Sequence, residues 1–246
     1  MGAVDDVVLP AAQHITIPAR FCGPPNSGNG GYSSGLLAEQ LTGPCQVTLR
    51  SPPPLDTPLF LGKNAAGQVA LHHGDVLVAE AVPAAVELEL PEPPSFEQAE
   101  VAARSFIGLQ SHPYPTCFVC GPTRPNADGL ALFPGAVEGR PLVAAPWCPP
   151  SDLCNAHGQV ETRFVWSALD CPSWFGFLAF SGRTVPTLLG RLTAEVHRAP
   201  LRDERCVVLG WHERTEGRRI LCASAIFAAD GSCLARSRST WVMLKT

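Results

Sequence analysis

The 246 residues predict an α+β fold of two similar halves, each a central helix wrapped by a curved antiparallel β-sheet, on three observations. A glycine-rich loop runs into a mainly apolar stretch at 32–41, and an almost wholly apolar stretch follows at 164–177. After each come short apolar segments separated by Gly and Pro turns, the pattern of an antiparallel meander. The spacing from Arg50-Ser51-Pro52 to Leu61-Gly62 returns from Arg198-Ala199-Pro200 to Leu209-Gly210. Residues 1–90 and 116–246 therefore form the two units, joined by a proline-rich connector at 91–115.

Each element has a local reason. Residues 14–21 read as a strand whose Pro18 suits an edge. Gly23-Pro24-Pro25-Asn26-Ser27-Gly28-Asn29-Gly30-Gly31 is a loop. Asn29 is placed to cap the helix at 32–41, and Gly43 to end it. Strands follow at 46–50, 57–61, 68–72 and 75–81. In the connector, Ser95 caps a short helix with an acidic first turn, ending near Arg104. The second half offers strands at 130–133 and 142–145, a loop at 146–158, and the apolar helix at 164–177. Pro172 must kink that helix or occupy its first turn. Strands at 188–197, 205–211, 218–228 and 233–244 complete the chain, the last two joined by the hairpin signal Ala229-Asp230-Gly231.

Composition excludes several function classes. Charged residues are 16% against a usual ~25%, and hydrophobic residues are 46%, so no long disordered tail is expected. Lys+Arg 18 against Asp+Glu 22 gives a net charge of −4 without a basic block, which argues against a nucleic-acid partner. No run of ~18 apolar residues offers a membrane span. Met1-Gly2-Ala3-Val4-Asp5-Asp6 lacks the basic-then-apolar pattern of a secretory leader. A cytoplasmic location follows, in which the ten cysteines are buried thiols rather than disulfides. Cys117-Phe118-Val119-Cys120 has metal-like spacing. Cys148 and Cys154 are too far apart for a second pair, and His157 stands alone, so no metal is expected.

Asn29-Gly30-Gly31-Tyr32-Ser33-Ser34-Gly35-Leu36-Leu37-Ala38 resembles the loop-to-helix entry of hotdog-fold acyl-CoA thioesterases. Cys117-Phe118-Val119-Cys120-Gly121 with Asn126, Gly129 and Leu130 is similar to a lead-in found in many such proteins. The stretches 164–172 and 225–244 resemble bacterial members of that superfamily. The resemblance implies a double hotdog, two central helices each wrapped by its sheet, that hydrolyses an acyl thioester carried by coenzyme A or an acyl carrier protein. It implies no cofactor other than the coenzyme A of the substrate, and a homodimer or higher homo-oligomer.

In that family, backbone N–H groups at a helix N-terminus hold the thioester carbonyl oxygen, and a carboxylate on the opposing unit's helix activates water or attacks. By resemblance Gly30, Gly31 and Asn29 match the first part. The acid's place is Ala38 in the first half and Asp170 in the second, so one composite site per chain is implied. Tyr32, Trp166, Trp174, Ser239 and Thr240 are the candidate substrate contacts. Arg50, Arg191, Arg198 and Arg202 are available to phosphates. Three other readings compete. One is an acyl-thioester dehydratase or hydratase, which would want a histidine near the acid. Another is an acyl-thioester binder without turnover. The third is a serine hydrolase, because Gly31-Tyr32-Ser33-Ser34-Gly35 fits the G-x-S-x-G pattern with Ser33 as nucleophile.

Overall fold

A computed structural model describes residues 13–64, 66–125, 128–182 and 186–244. Asn126, quoted above for the lead-in motif, lies outside the described residues. In chain order the elements are β1 (Gln13–Ile15), α1 (Gly30–Ala38), β2 (Cys45–Leu49), β3 (Leu59–Lys63), β4 (Val69–His73), β5 (Val76–Pro83) and α2 (Phe96–Ala103). Then come β6 (Gly135–Ala136), β7 (Leu142–Trp147), α3 (Thr162–Ser181), β8 (Thr187–Val196), β9 (Cys206–Glu216), β10 (Arg219–Ala228) and β11 (Cys233–Met243).

All eleven strands join one antiparallel sheet in the order β1-β3-β4-β5-β2-β8-β11-β10-β9-β7-β6. The order β1-β3-β4-β5-β2 returns as β7-β9-β10-β11-β8, and in each run the strand that follows the long apolar helix forms the inner edge. Those inner edges pair with each other, Cys45 opposite Ala194 and Thr48 opposite Arg191. Edge pairing removes the unpaired N–H and C=O groups that either half would expose alone.

Helices α1 and α3 lie against each other on one face of the sheet. Alternation along the strands decides what covers the other face. In β9, Cys206 and Val208 join the main core, while Val207 and Leu209 join a second core with Leu142, Ala225 and Phe227. Ala99 and Ala102 of α2 cap that second core. Helix α2 itself starts at a capping box, with Gln98 N–H donating to Ser95 Oγ and Ser95 N–H to Gln98 Oε1. The connector thus contributes a covering layer as well as a link.

Several predicted boundaries moved. The first helix starts two residues early, at Gly30, and ends at Ala38, with tighter turns carrying the chain to Leu41. Of the first predicted strand, 14–21, only residues 14 and 15 join the sheet, in β1; Ala19–Phe21 forms a single turn. Residues 130–133 do not form a strand. Leu130 and Leu132 donate their N–H groups to Phe118 and Val119 carbonyls in the Cys117–Cys120 loop, and Ala131 has a φ of 50°. Helix α3 runs through Pro172 to Ser181 and ends at Gly182 in the left-handed region. Pro172 has no N–H for the Ala168 carbonyl. The neighbouring Leu169 carbonyl accepts from Ser224 Oγ of β10 (2.5 Å), which anchors that turn to the sheet, and the Asp170 carbonyl accepts from Ser173 Oγ within the helix (2.7 Å).

Candidate active site

The site arises where α1 crosses α3. A Cβ at Gly31 would stand 2.6 Å from the Trp166 carbonyl oxygen and 2.6 Å from Asp170 Cβ. At Gly35, one turn on, it would stand 2.4 Å from Arg163 Cα. Glycines four apart on one helix face therefore let the two backbones touch. Glycine at 31 thus serves this helix contact. The same contact explains the G-x-S-x-G match. Ser33 is fully buried in α1, its Oγ has no hydrogen-bond partner, and the sheet is antiparallel, so the strand-turn-helix elbow of a serine hydrolase is absent.

At the start of α1, Asn29 works in two directions. Its Oδ1 accepts the Tyr32 N–H at 2.9 Å, the expected cap, and its Nδ2 donates to Asp170 Oδ2 at 2.9 Å. The Gly31 N–H donates to the same Asp170 oxygen at 2.8 Å. The structure thus brings together Asn29, Gly31 and Asp170, residues 139 to 141 apart in sequence. Asp170 is 2% exposed and its Oδ1 is buried without a partner. Burial pushes its pKa up to about 7, against the two donors, which act to lower it. Such a carboxyl carries one oxygen fixed by two donors and one that no protein donor holds.

A cavity of about 410 Å³ opens beside this group. Asn29, Gly30, Asp170, Cys117 and Cys171 form its polar wall. Leu49, Pro52, Pro53, Leu188, Leu189 and Trp241 form an apolar one. Gly30 is at the first helical position, whose N–H has no acceptor inside the helix. Gly30 also lines the cavity, whereas the Gly31 N–H is already held by Asp170.

The other candidate contacts lie elsewhere. Tyr32 stacks on Phe21 at 4.1 Å between ring centroids and sits among Phe118 and Phe164. Trp166 is 2% exposed in the core. Trp174 packs against Phe175 and Trp241. Ser239 Oγ bonds Ser173 Oγ at 2.8 Å, joining β11 to α3. Thr240 falls on the alternate side of β11, between buried Ser239 and Trp241. None of these five lines the cavity. Among the four arginines only Arg50 does, and it also pairs with Glu80. Arg191 bonds Thr48, Arg198 pairs with Glu204, and Arg202 with Asp203.

Sequence reading missed Trp241 and Tyr114 on the cavity wall, and missed that Cys117 and Cys171 come together there, their sulfurs 3.6 Å apart. Cys171 is next to Asp170 in the chain. Nothing in a spacing pattern links it to a cysteine 54 residues earlier.

No protein-family model and no curated relative matches the chain. Solved structures do. A hotdog-fold protein of unknown function from Alicyclobacillus acidocaldarius superposes with a TM-score of 0.61 at 13% identity, covering 96% of each chain. The tesB protein of Mycobacterium avium subs paratuberculosis gives 0.60 at 14% identity, over 94% of this chain and 91% of that one. A candidate oleoyl thioesterase from Lactobacillus plantarum gives 0.58 at 8% identity, over 96% of each. With its antiparallel sheet and few helices, the chain has the α+β hotdog fold that these proteins share.

Proposed function

We propose that the chain hydrolyses an acyl thioester, carried by coenzyme A or an acyl carrier protein, at one composite centre between two hotdog units. The observation that carries this is Asp170 held by Asn29 and Gly31 at the wall of a largely apolar cavity. In this reading α1 and α3 are the central helices of a double hotdog, and the acyl chain lies against Leu49, Leu188, Leu189 and Trp241. The Gly30 N–H, strengthened by the helix N-terminus, receives the thioester carbonyl oxygen. Asp170 Oδ1 takes a proton from a water as that water attacks the carbonyl carbon. The C–S bond then breaks, and the proton passes from Asp170 to the departing sulfur.

In the same reading the second, symmetry-related centre has no acid, because Ala38 stands at its place and the neighbouring Glu39 Oε1 accepts from the Arg163 N–H and Nε. Among the described residues no histidine lines the cavity, which disfavours the dehydratase reading.

A panel of acyl-CoA thioesters differing in length and aromaticity, followed by thiol release, tests the proposal. Turnover of at least one member is expected. Tight binding of a non-hydrolysable acyl-CoA analogue with no turnover of any member would replace it with the binding-protein reading. Arg50→Ala tests the carrier. It is expected to raise KM for a CoA ester roughly fivefold, the ~1 kcal/mol of an exposed charge contact. The matching N-acetylcysteamine thioester, which has no phosphates, is expected to be unaffected.

A further inference from the structure

Three sulfurs from two distant segments converge at the cavity wall. Those of Cys117, Cys120 and Cys171 all lie within 4.8 Å of one another, and all three residues are buried. We propose that Cys117, Cys120 and Cys171 form a three-thiolate site for a soft divalent cation, Zn²⁺. Sulfurs bound to zinc at about 2.3 Å and at tetrahedral angles stand ~3.8 Å apart. The Cys117 and Cys171 sulfurs are already 3.6 Å apart.

The surroundings also offer a donor to metal-bound thiolates. A neutral thiol is a weak acceptor, yet one amide stands at two of these sulfurs. Asn29 Nδ2 stands 3.8 Å from the Cys117 sulfur and 4.0 Å from that of Cys171. A metal-bound thiolate carries the negative charge that such donors compensate. The turn is also shaped for this purpose. A Cβ at Gly121 would lie 2.5 Å from both the N and O of Cys117, and the Gly121 N–H bonds the Cys117 carbonyl at 2.9 Å, so the loop folds back tightly enough for both its sulfurs to face one point. Helix α3 supplies the third sulfur one residue after Asp170. The cation would therefore clamp the loop preceding β6 to the turn that carries the acid. Cys148, Cys154 and His157 do not join the group.

The proposal stands whether or not Asp170 hydrolyses thioesters, because its readout is the metal. The full chain is purified without chelator and its metal content measured. It is then stripped with a mercurial and titrated with Co²⁺ under reducing, anaerobic conditions. About one zinc per chain is expected. Cobalt is expected to give intense tetrahedral d–d bands with a thiolate-to-metal charge-transfer band. Cys120→Ser and Cys171→Ser are each expected to cut metal retention about tenfold or more, while Cys45→Ser retains it. Less than a tenth of an equivalent of any metal with no cobalt-thiolate band from the unmutated chain would overturn the proposal, even if the variants fail to fold. Full retention in both Cys120→Ser and Cys171→Ser would overturn it too.

Discussion

Gly31 and Asp170 are tied by a hydrogen bond and by backbone packing, so substitutions at the two separate chemistry from structure. Gly31→Ala places a methyl 2.6 Å from Asp170 Cβ and the Trp166 carbonyl. Neither is the free end of a flexible side chain, so the helices must part. A cost of about 1–3 kcal/mol is expected, read as a lower midpoint in urea unfolding, with activity falling in parallel as Asp170 loses its donor. Ser33→Ala removes a buried hydroxyl without a partner and is expected to leave turnover unchanged. A loss of more than tenfold would restore the nucleophile reading. At this scale much of the site was legible. A capping Asn, paired glycines and an isolated acid in an apolar run are rare enough to be noticed one by one. The cavity lining was not, because an aromatic residue on an apolar helix looks the same whether it faces core or cavity. Tyr32, Trp166 and Trp174 proved to be core.

Among the elements, those whose signals were local were read best. The Ser95 cap, the Ala229-Asp230-Gly231 turn and the strands from β8 to β11 each rest on a few adjacent residues. The segment 130–133 has the same apolar look, but its N–H groups find partners in the Cys117–Cys120 loop before any strand can claim them. Sequence cannot weigh those distant acceptors. Helix α2 shows how a connector becomes structure: Ala99 and Ala102 cover Leu142, Leu209 and Phe227 on the outer face of the sheet. Ser95→Ala removes one half of the capping box, and a loss of ~1 kcal/mol is expected in chemical denaturation. Hydrogen exchange should then quicken in α2 before it quickens in α3. Equal acceleration in both helices would mean that α2 is not a separately fraying layer.

The whole molecule behaves as one unit in this structure. The main core runs from Leu71 and Val78 in the first run of strands to Ile226 and Leu234 in the last, and β2 pairs directly with β8. All five tryptophans, Trp147, Trp166, Trp174, Trp211 and Trp241, belong to the second half. Leu71→Ala, in the first half, is expected to cost about 2–5 kcal/mol. The tryptophan emission transition should move with the far-ultraviolet dichroism transition. If tryptophan emission kept its original midpoint, the halves would be independent. Sheet order and the β2–β8 seam were beyond sequence reading except through the repeat of turns, because pairing between edges is set by shape across the whole chain. In the proposed reaction the two halves assemble one centre, with the acid from one and the helix entry from the other. The kcat/KM of Asp170→Asn is measured on the best acyl-CoA of the panel, with the variant's thermal midpoint alongside. A fall of at least ~100-fold in a variant that remains folded is expected. A folded Asp170→Asn with unchanged kcat/KM would contradict the claim.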